Sequence, residues 1–233
     1  MPRALRHLLI VAVVLGLSLA PLSVVLHAAS YTDAFAGTGA LSGNWTAITG
    51  LGTPDRTSGI VQGNPTNTVS GAYWSANMVT DDQYAQVKVY ADGVGGGSII
   101  AGPACRIASG AQTMYVAYVD SNETPAREIV IYKYVAGTPT KVDDTGVTAA
   151  ELDVIRIECT GGATSSIQAL KNGSAAGSAY ADSSSPITSG AVGFVVFTFV
   201  GPSSFIDEFD GGDLGGGGGA TCPKTFSLLG VGC

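Results

Sequence analysis

Tyr84-Ala85-Gln86-Val87-Lys88-Val89-Tyr90 alternates with a period of two residues. In an extended chain successive side chains point to opposite faces, so Ala85, Val87 and Val89 share one face while Gln86, Lys88 and Tyr90 share the other. Asp153 to Cys159 does the same, with Ile155, Ile157 and Cys159 on one side and Arg156 and Glu158 opposite. Each segment reads as a half-buried β-strand, because a helix would repeat its apolar residues every three to four positions.

Outward from these two, strands are expected over 67–74, 98–107, 113–120, 127–135, 165–170, 191–200 and 203–209, with turn signals at Asp92-Gly93, Asn172-Gly173 and Gly201-Pro202. The stretch Thr148-Ala149-Ala150-Glu151-Leu152 has some helical character but is too short to be more than a turn. Parallel strands need long crossover segments, which this sequence lacks, so the sheets are expected to be antiparallel. The fold class is all-β, a two-sheet antiparallel jelly-roll sandwich.

The ends of the chain read differently. Arg3 and Arg6 precede an apolar run from Leu8 to Leu26, followed by His27, Ala28, Ala29 and Ser30. This is the layout of a signal peptide over 1–29, with removal after Ala28 or Ala29 and an uncleaved anchor as the alternative. The sandwich domain is expected over 30–214. Beyond it, 215–233 is a glycine-rich linker, Gly215 to Gly219, and a short tail containing Cys222 and Cys233, whose apolar part is too short to cross a membrane.

Composition excludes several function classes. Eleven Lys and Arg against 18 Asp and Glu give a net charge of −7, and no basic run is present to neutralise a series of phosphates, which argues against nucleic acid. His7 and His27 are the only two histidines, so removal of the leader leaves none. Ser-His-Asp, Cys-His and His-zinc chemistry then drop out, and acid–base work would fall to Asp and Glu. Cys105, Cys159, Cys222 and Cys233 allow three pairings in an exported chain; Cys105–Cys159 with Cys222–Cys233 is preferred, and the alternative is that Cys105 and Cys159 are small buried hydrophobes.

A set of motifs in order carries a resemblance: Thr32-Asp33-Ala34-Phe35, Gly43-Asn44-Trp45-Thr46, Ala72-Tyr73-Trp74, Asp82-Gln83-Tyr84-Ala85-Gln86, Ile155-Arg156-Ile157-Glu158, Ala169-Leu170-Lys171-Asn172-Gly173 and Phe205-Ile206-Asp207-Glu208-Phe209. Together they resemble the LamG-like branch of the concanavalin A-like lectin/glucanase superfamily over residues 31–213. The resemblance implies that the first and last strands lie side by side, Asp33–Phe35 next to Asp207–Phe209. It implies no single activity. The acidic Glu-x-Asp-x-x-Glu cluster of the superfamily's glucanases has no counterpart here.

Sugar-binding modules stack aromatic rings on the apolar faces of pyranoses, with amide and acidic groups around them. Tyr90, Tyr118, Tyr132, Tyr134 and Trp74 are the candidate ligand-binding residues, while Trp45 belongs to the core. By alternation Tyr132 and Tyr134 share a face, Tyr118 lies with Asp120, and Tyr90 lies with Gln86 and Lys88; the alternative is that Tyr132, Tyr134 and Trp74 fill the space between the sheets. No catalytic residue and no cofactor are expected. Calcium is the one metal the composition accommodates, through Asp81-Asp82, Asp143-Asp144 or Asp207 to Asp213. The expected function is a secreted or cell-surface, non-catalytic recognition module for carbohydrate or another extracellular surface. A glycoside hydrolase with two carboxylates, Glu158 being the best single candidate, and a structural adhesion component are the alternatives.

Overall fold

The computed structural model describes residues 28–63, 68–76, 78, 80–91, 99–198 and 204–215. The leader up to residue 27, the turns expected at Asp92-Gly93 and Gly201-Pro202, and the tail with the expected Cys222–Cys233 bridge lie outside the described residues. Strands, and no helix, are found among those described.

One sheet runs β14 (Ser174–Asp182), β13 (Ser165–Lys171), β12 (Val154–Thr160), β7 (Gln83–Ala91), β16 (Ser204–Asp213), β5 (Ile60–Gln62), β4 (Asp55–Thr57) and β2 (Gly39–Ala40), with β1 (Ser30–Asp33) added on β16. The other runs β11 (Thr138–Thr148), β10 (Glu128–Val135), β9 (Met114–Asp120), β8 (Ile100–Ile107), β15 (Ala191–Thr198), β6 (Thr68–Trp74) and β3 (Trp45–Ala47). The strand pairings are antiparallel, as expected from the short connections. Asp33 pairs with Phe209, so the first and last strands are neighbours.

The alternation that decides the fold also decides the interior. Ala85, Val87, Val89, Ile155, Ile157 and Cys159 are all fully buried between the sheets. At one end of this core Trp45 packs within 4.7 Å of Phe209, 4.9 Å of Phe194 and 5.1 Å of Trp74, measured between ring centroids. The Trp45 indole N–H donates to Asp33 Oδ2 at 2.8 Å, which removes the cost of burying it. Cys105 on β8 and Cys159 on β12 form a disulfide that ties one sheet to the other.

The short strands β2, β3, β4 and β5, of two or three residues each, and the long strands β11 and β14 were not among those expected from the sequence; the two long ones share a physical reason. Both are edge strands with largely exposed residues, so neither needs the apolar face that marks an inner strand. The Asn172-Gly173 turn forms as expected, with φ of 50° and 80°, and joins β13 to β14.

Arg106 also departs from simple alternation. Following Cys105, it would point away from the interior, but a register shift between β15 and β8 and a φ of 55° at Arg106 turn its side chain inward. The guanidinium is fully buried and donates to the carbonyls of Asp81, Gly161 and Ile187 and to Ser165 Oγ. Burial lowers its pKa, yet an arginine stays protonated. It clamps loops of the larger sheet against β8.

Candidate functional site: the outer face of the seven-stranded sheet

The residues of β9 and β10 that face away from the space between the sheets form a second, largely buried cluster, with Tyr132 only partly covered. Met114, Val116, Tyr118 and Asp120 alternate along β9, and Glu128, Val130, Tyr132 and Tyr134 along β10; cross-strand partners are Tyr134 with Met114, Tyr132 with Val116, Val130 with Tyr118 and Glu128 with Asp120. Directly opposed residues share a face. On the far side of β10, Lys141 of β11 lies opposite Tyr132 and Asp144 lies opposite Val130.

Three rings meet here. Tyr118 and Tyr132 are 5.6 Å apart edge to face, Tyr132 and Tyr134 are 6.5 Å apart, and the Tyr118 and Tyr134 hydroxyls are 3.1 Å from one another. Tyr118 and Tyr134 are buried, whereas Tyr132 keeps part of its ring in contact with solvent. Burial, followed by neighbouring acidic groups and phenols, raises the pKa of Tyr118 and of Tyr132, so both are neutral hydroxyls at neutral pH. The buried pair packs beside the Tyr132 ring on the same face of the sheet.

A polar cleft lies next to this cluster, and its Glu123 and Lys141 are near enough to act on the Tyr132 hydroxyl, although Tyr132 is not part of its lining. A cleft of about 510 Å³ is lined by Asn122, Glu123, Thr124, Pro125, Lys141 and Asp144, with Glu128 in its wall. Lys141 Nζ bridges Glu123 Oε2 at 3.0 Å and Asp144 Oδ1 at 2.8 Å, and these two carboxylates raise its pKa. Asp120, 8% exposed, accepts the Asn122 N–H at 2.8 Å, and burial raises its pKa despite that bond. A partly exposed ring next to a cleft that carries an amide, carboxylates and an ammonium can bind a ligand that is apolar on one face and hydroxylated at its rim.

A larger cleft, of about 800 Å³, opens beside Tyr73 and Trp74 and includes Ser75, Thr80, Asp81 and Ser109. Tyr73 belongs to the same outer face as the tyrosine cluster. This cleft is roomier and carries two rings of its own, Tyr73 and Trp74, but among the described residues no ammonium–carboxylate pair lines it, so size alone does not select it.

The five expected ligand-binding residues therefore separate. Tyr118, Tyr132 and Tyr134 come together. Trp74 packs between the sheets against Trp45 and Phe209, with only its rim reaching the larger cleft, because its position on β6 alternates with that of Tyr73. Tyr90 stands on the other sheet, where it pairs with Phe205, near Lys88 and Asp207. Glu158, the best single acid by sequence, accepts from Arg156 at 2.7 Å on that same outer surface, and Arg156 in turn sits 3.9 Å from the Tyr84 ring centroid. Sequence reading missed Asn122, Glu123 and Lys141 as site residues; their signal was the polar turn following Tyr118-Val119-Asp120.

The carboxylates offered for calcium do not converge. Asp82 accepts from the Gly161 N–H, Asp144 pairs with Lys141, Asp210 accepts from the Tyr84 hydroxyl, and Asp213 accepts from Ala29 and Thr80. Among the described residues no three His, Cys, Asp or Glu gather in a way that could hold a metal ion. Among the described residues these carboxylates therefore do not gather the six to eight oxygens around one point that calcium takes.

No protein-family model matches the chain, and neither does any curated protein. Solved structures do match. The carbohydrate binding module CBM66 from Bacillus subtilis aligns with a TM-score of 0.51 and 17% identity over 71% of this chain and 91% of that one. The carbohydrate recognition domain of Emp47p aligns with a TM-score of 0.52 and 11% identity over 79% and 94%. The exoplasmic/lumenal domain of VIP36, in a Ca2+/Man-bound form, gives 0.52 and 12% over 79% and 91%. At these identities the likeness establishes the fold and nothing finer: the two packed antiparallel sheets of this chain form a concanavalin A-like jelly roll.

Proposed function

We propose that the chain is a secreted or cell-surface, non-catalytic recognition module that binds carbohydrate at Tyr132. The observation that carries this reading is the partly exposed Tyr132 ring, packed against Tyr118 and Tyr134, with Lys141 opposite it on β11 and Glu123 near enough to act on its hydroxyl. The ring supplies the apolar platform, and the cleft groups pair with hydroxyls. The matched structures named for carbohydrate recognition agree with this use of the fold. Protein secreted from the full-length precursor should bind a subset of a glycan array, with chelator having no effect. Tyr132→Ala should weaken binding about tenfold, from roughly 1.4 kcal/mol of lost ring contact, while Tyr132→Phe retains it. Binding unchanged in Tyr132→Ala would refute this placement of the site.

A second reading rests on Asp120 and Glu128, which oppose each other across β9 and β10 and are 8% and 5% exposed. Two carboxyl groups on one face are the raw material of glycoside hydrolysis, and the raised pKa of Asp120 suits a general acid. Against it, Glu128 Oε1 already accepts the Gly146 N–H at 2.6 Å, and both groups are nearly inaccessible. Release of reducing sugar that disappears in Asp120→Asn would establish this activity in place of simple binding.

A further inference from the structure

The residues around Ala29 locate the end of the leader. Ala29 is built into the fold at both of its backbone groups: its N–H donates to Asp213 Oδ2 at 3.0 Å, and its carbonyl accepts the Asp213 N–H at 2.8 Å. Asp213 is 4% exposed and also accepts from Thr80 N and Thr80 Oγ1 at 2.8 and 3.1 Å. Next to it, Ser30 pairs with Gly212, where a Cβ would overlap the Ala29 carbonyl, so the glycine is needed for Ala29 to pass. Ala28, one residue earlier, is exposed.

The two leader-removal positions legible in the sequence have different consequences. A cut after Ala29 deletes both backbone bonds between Ala29 and Asp213. A cut after Ala28 keeps both and turns the donor at 3.0 Å from a neutral peptide N–H into a charged amine.

We propose that the chain is processed at the Ala28–Ala29 bond and that the new α-ammonium of Ala29 docks as the counter-ion of Asp213. Water, delivered by an endopeptidase of the signal-peptidase class, adds across the amide. Ala28 departs with the leader as a carboxylate, and the released Ala29 amine takes up a proton. The cut precedes folding, so the bonds of Ala29 to Asp213 in the folded chain do not hinder it. The group bonded to the docked amine is Asp213 on β16; around it lie Thr80, which bonds the other oxygen of Asp213, and the Ser30–Tyr84–Asp210 hydroxyl and carboxylate chain along β1, β7 and β16. Asp213 and Asp210 are the acidic groups of this set, and both favour the protonated amine.

The test uses protein secreted from the full-length precursor. N-terminal mass spectrometry should find Ala29 as the first residue; a start at Ser30 or elsewhere, or a retained leader, overturns the proposal. The rate at which an acylating reagent modifies the α-amine should be at least about tenfold slower in the native protein than in urea, equivalent to about one pKa unit of protection. Asp213→Asn should restore most of that rate if it folds, and the comparison between native and urea-unfolded wild type stands without it. Equal rates in the native and unfolded protein would also overturn the proposal, since the amine would then be free.

Discussion

Removing the Cys105–Cys159 bridge by the double change Cys105→Ala and Cys159→Ala should lower stability mainly through the unfolded chain. The cysteines are 54 residues apart. Closing a loop of that length removes unfolded-state entropy worth about 4 kcal/mol near room temperature. Both side chains are fully buried, so losing two sulfur atoms adds a cavity cost of about 1 kcal/mol. With a urea m-value of about 2 kcal/mol per molar, the midpoint should fall by about 2 to 2.5 M, and m itself should rise because the freed chain exposes more surface when unfolded. Trp45 and Trp74 are each 9% exposed between the two sheets that the bridge joins, so their fluorescence in a urea titration reports the opening of this interface. A midpoint shift below about 0.5 M with unchanged m would refute the reasoning and leave the two cysteines as small buried hydrophobes.

Arg106→Met should cost about 3–5 kcal/mol, seen as a large drop in melting temperature, because it strips partners from the carbonyls of Asp81, Gly161 and Ile187. Arg106→Lys should not rescue it, having three donors where the guanidinium has five. At Asp182, burial opposes ionisation, but hydrogen bonds from Lys133 and the Tyr115 hydroxyl outweigh it and hold the carboxyl below its usual range. That depressed value contributes stability above the unfolded pKa of about 3.9, and the contribution is lost as pH falls through the folded value; acid melts should show this loss in wild type and not in Asp182→Asn. Gly173→Ala should cost about 1 kcal/mol, measured by thermal unfolding: the space around its Cβ is open, but its φ of 80° disfavours a side chain.

Strands with one buried face were legible because alternation is a local property. Ala85, Val87 and Val89 had to face an interior whatever lay across from them, and they do. Strand β11, Thr138–Thr148, was not legible because an edge strand with two solvated faces carries no such pattern. The candidate site was legible in part. Tyr132 and Tyr134 were assigned to one face by parity and Tyr118 to the face of Asp120, but parity says nothing of which strands and sheets adjoin, so neither the meeting of Tyr118 with that pair nor the separation of Tyr90 and Trp74 from them could be read.

The sequence by itself determined the class of fold, the Asn172-Gly173 turn and the pairing of faces within each strand, since all of these follow from neighbouring residues and backbone sterics. Tertiary structure alone decided the rest. Stacking the sheets made Trp74 interior and left Tyr132 partly exposed. A bulge turned Arg106 from its outward parity to a buried clamp. Bringing the first strand beside the last placed Ala29 against Asp213, 184 positions away. Each of these depends on which distant segment arrives at a given face, and side-chain periodicity along the chain carries no record of that.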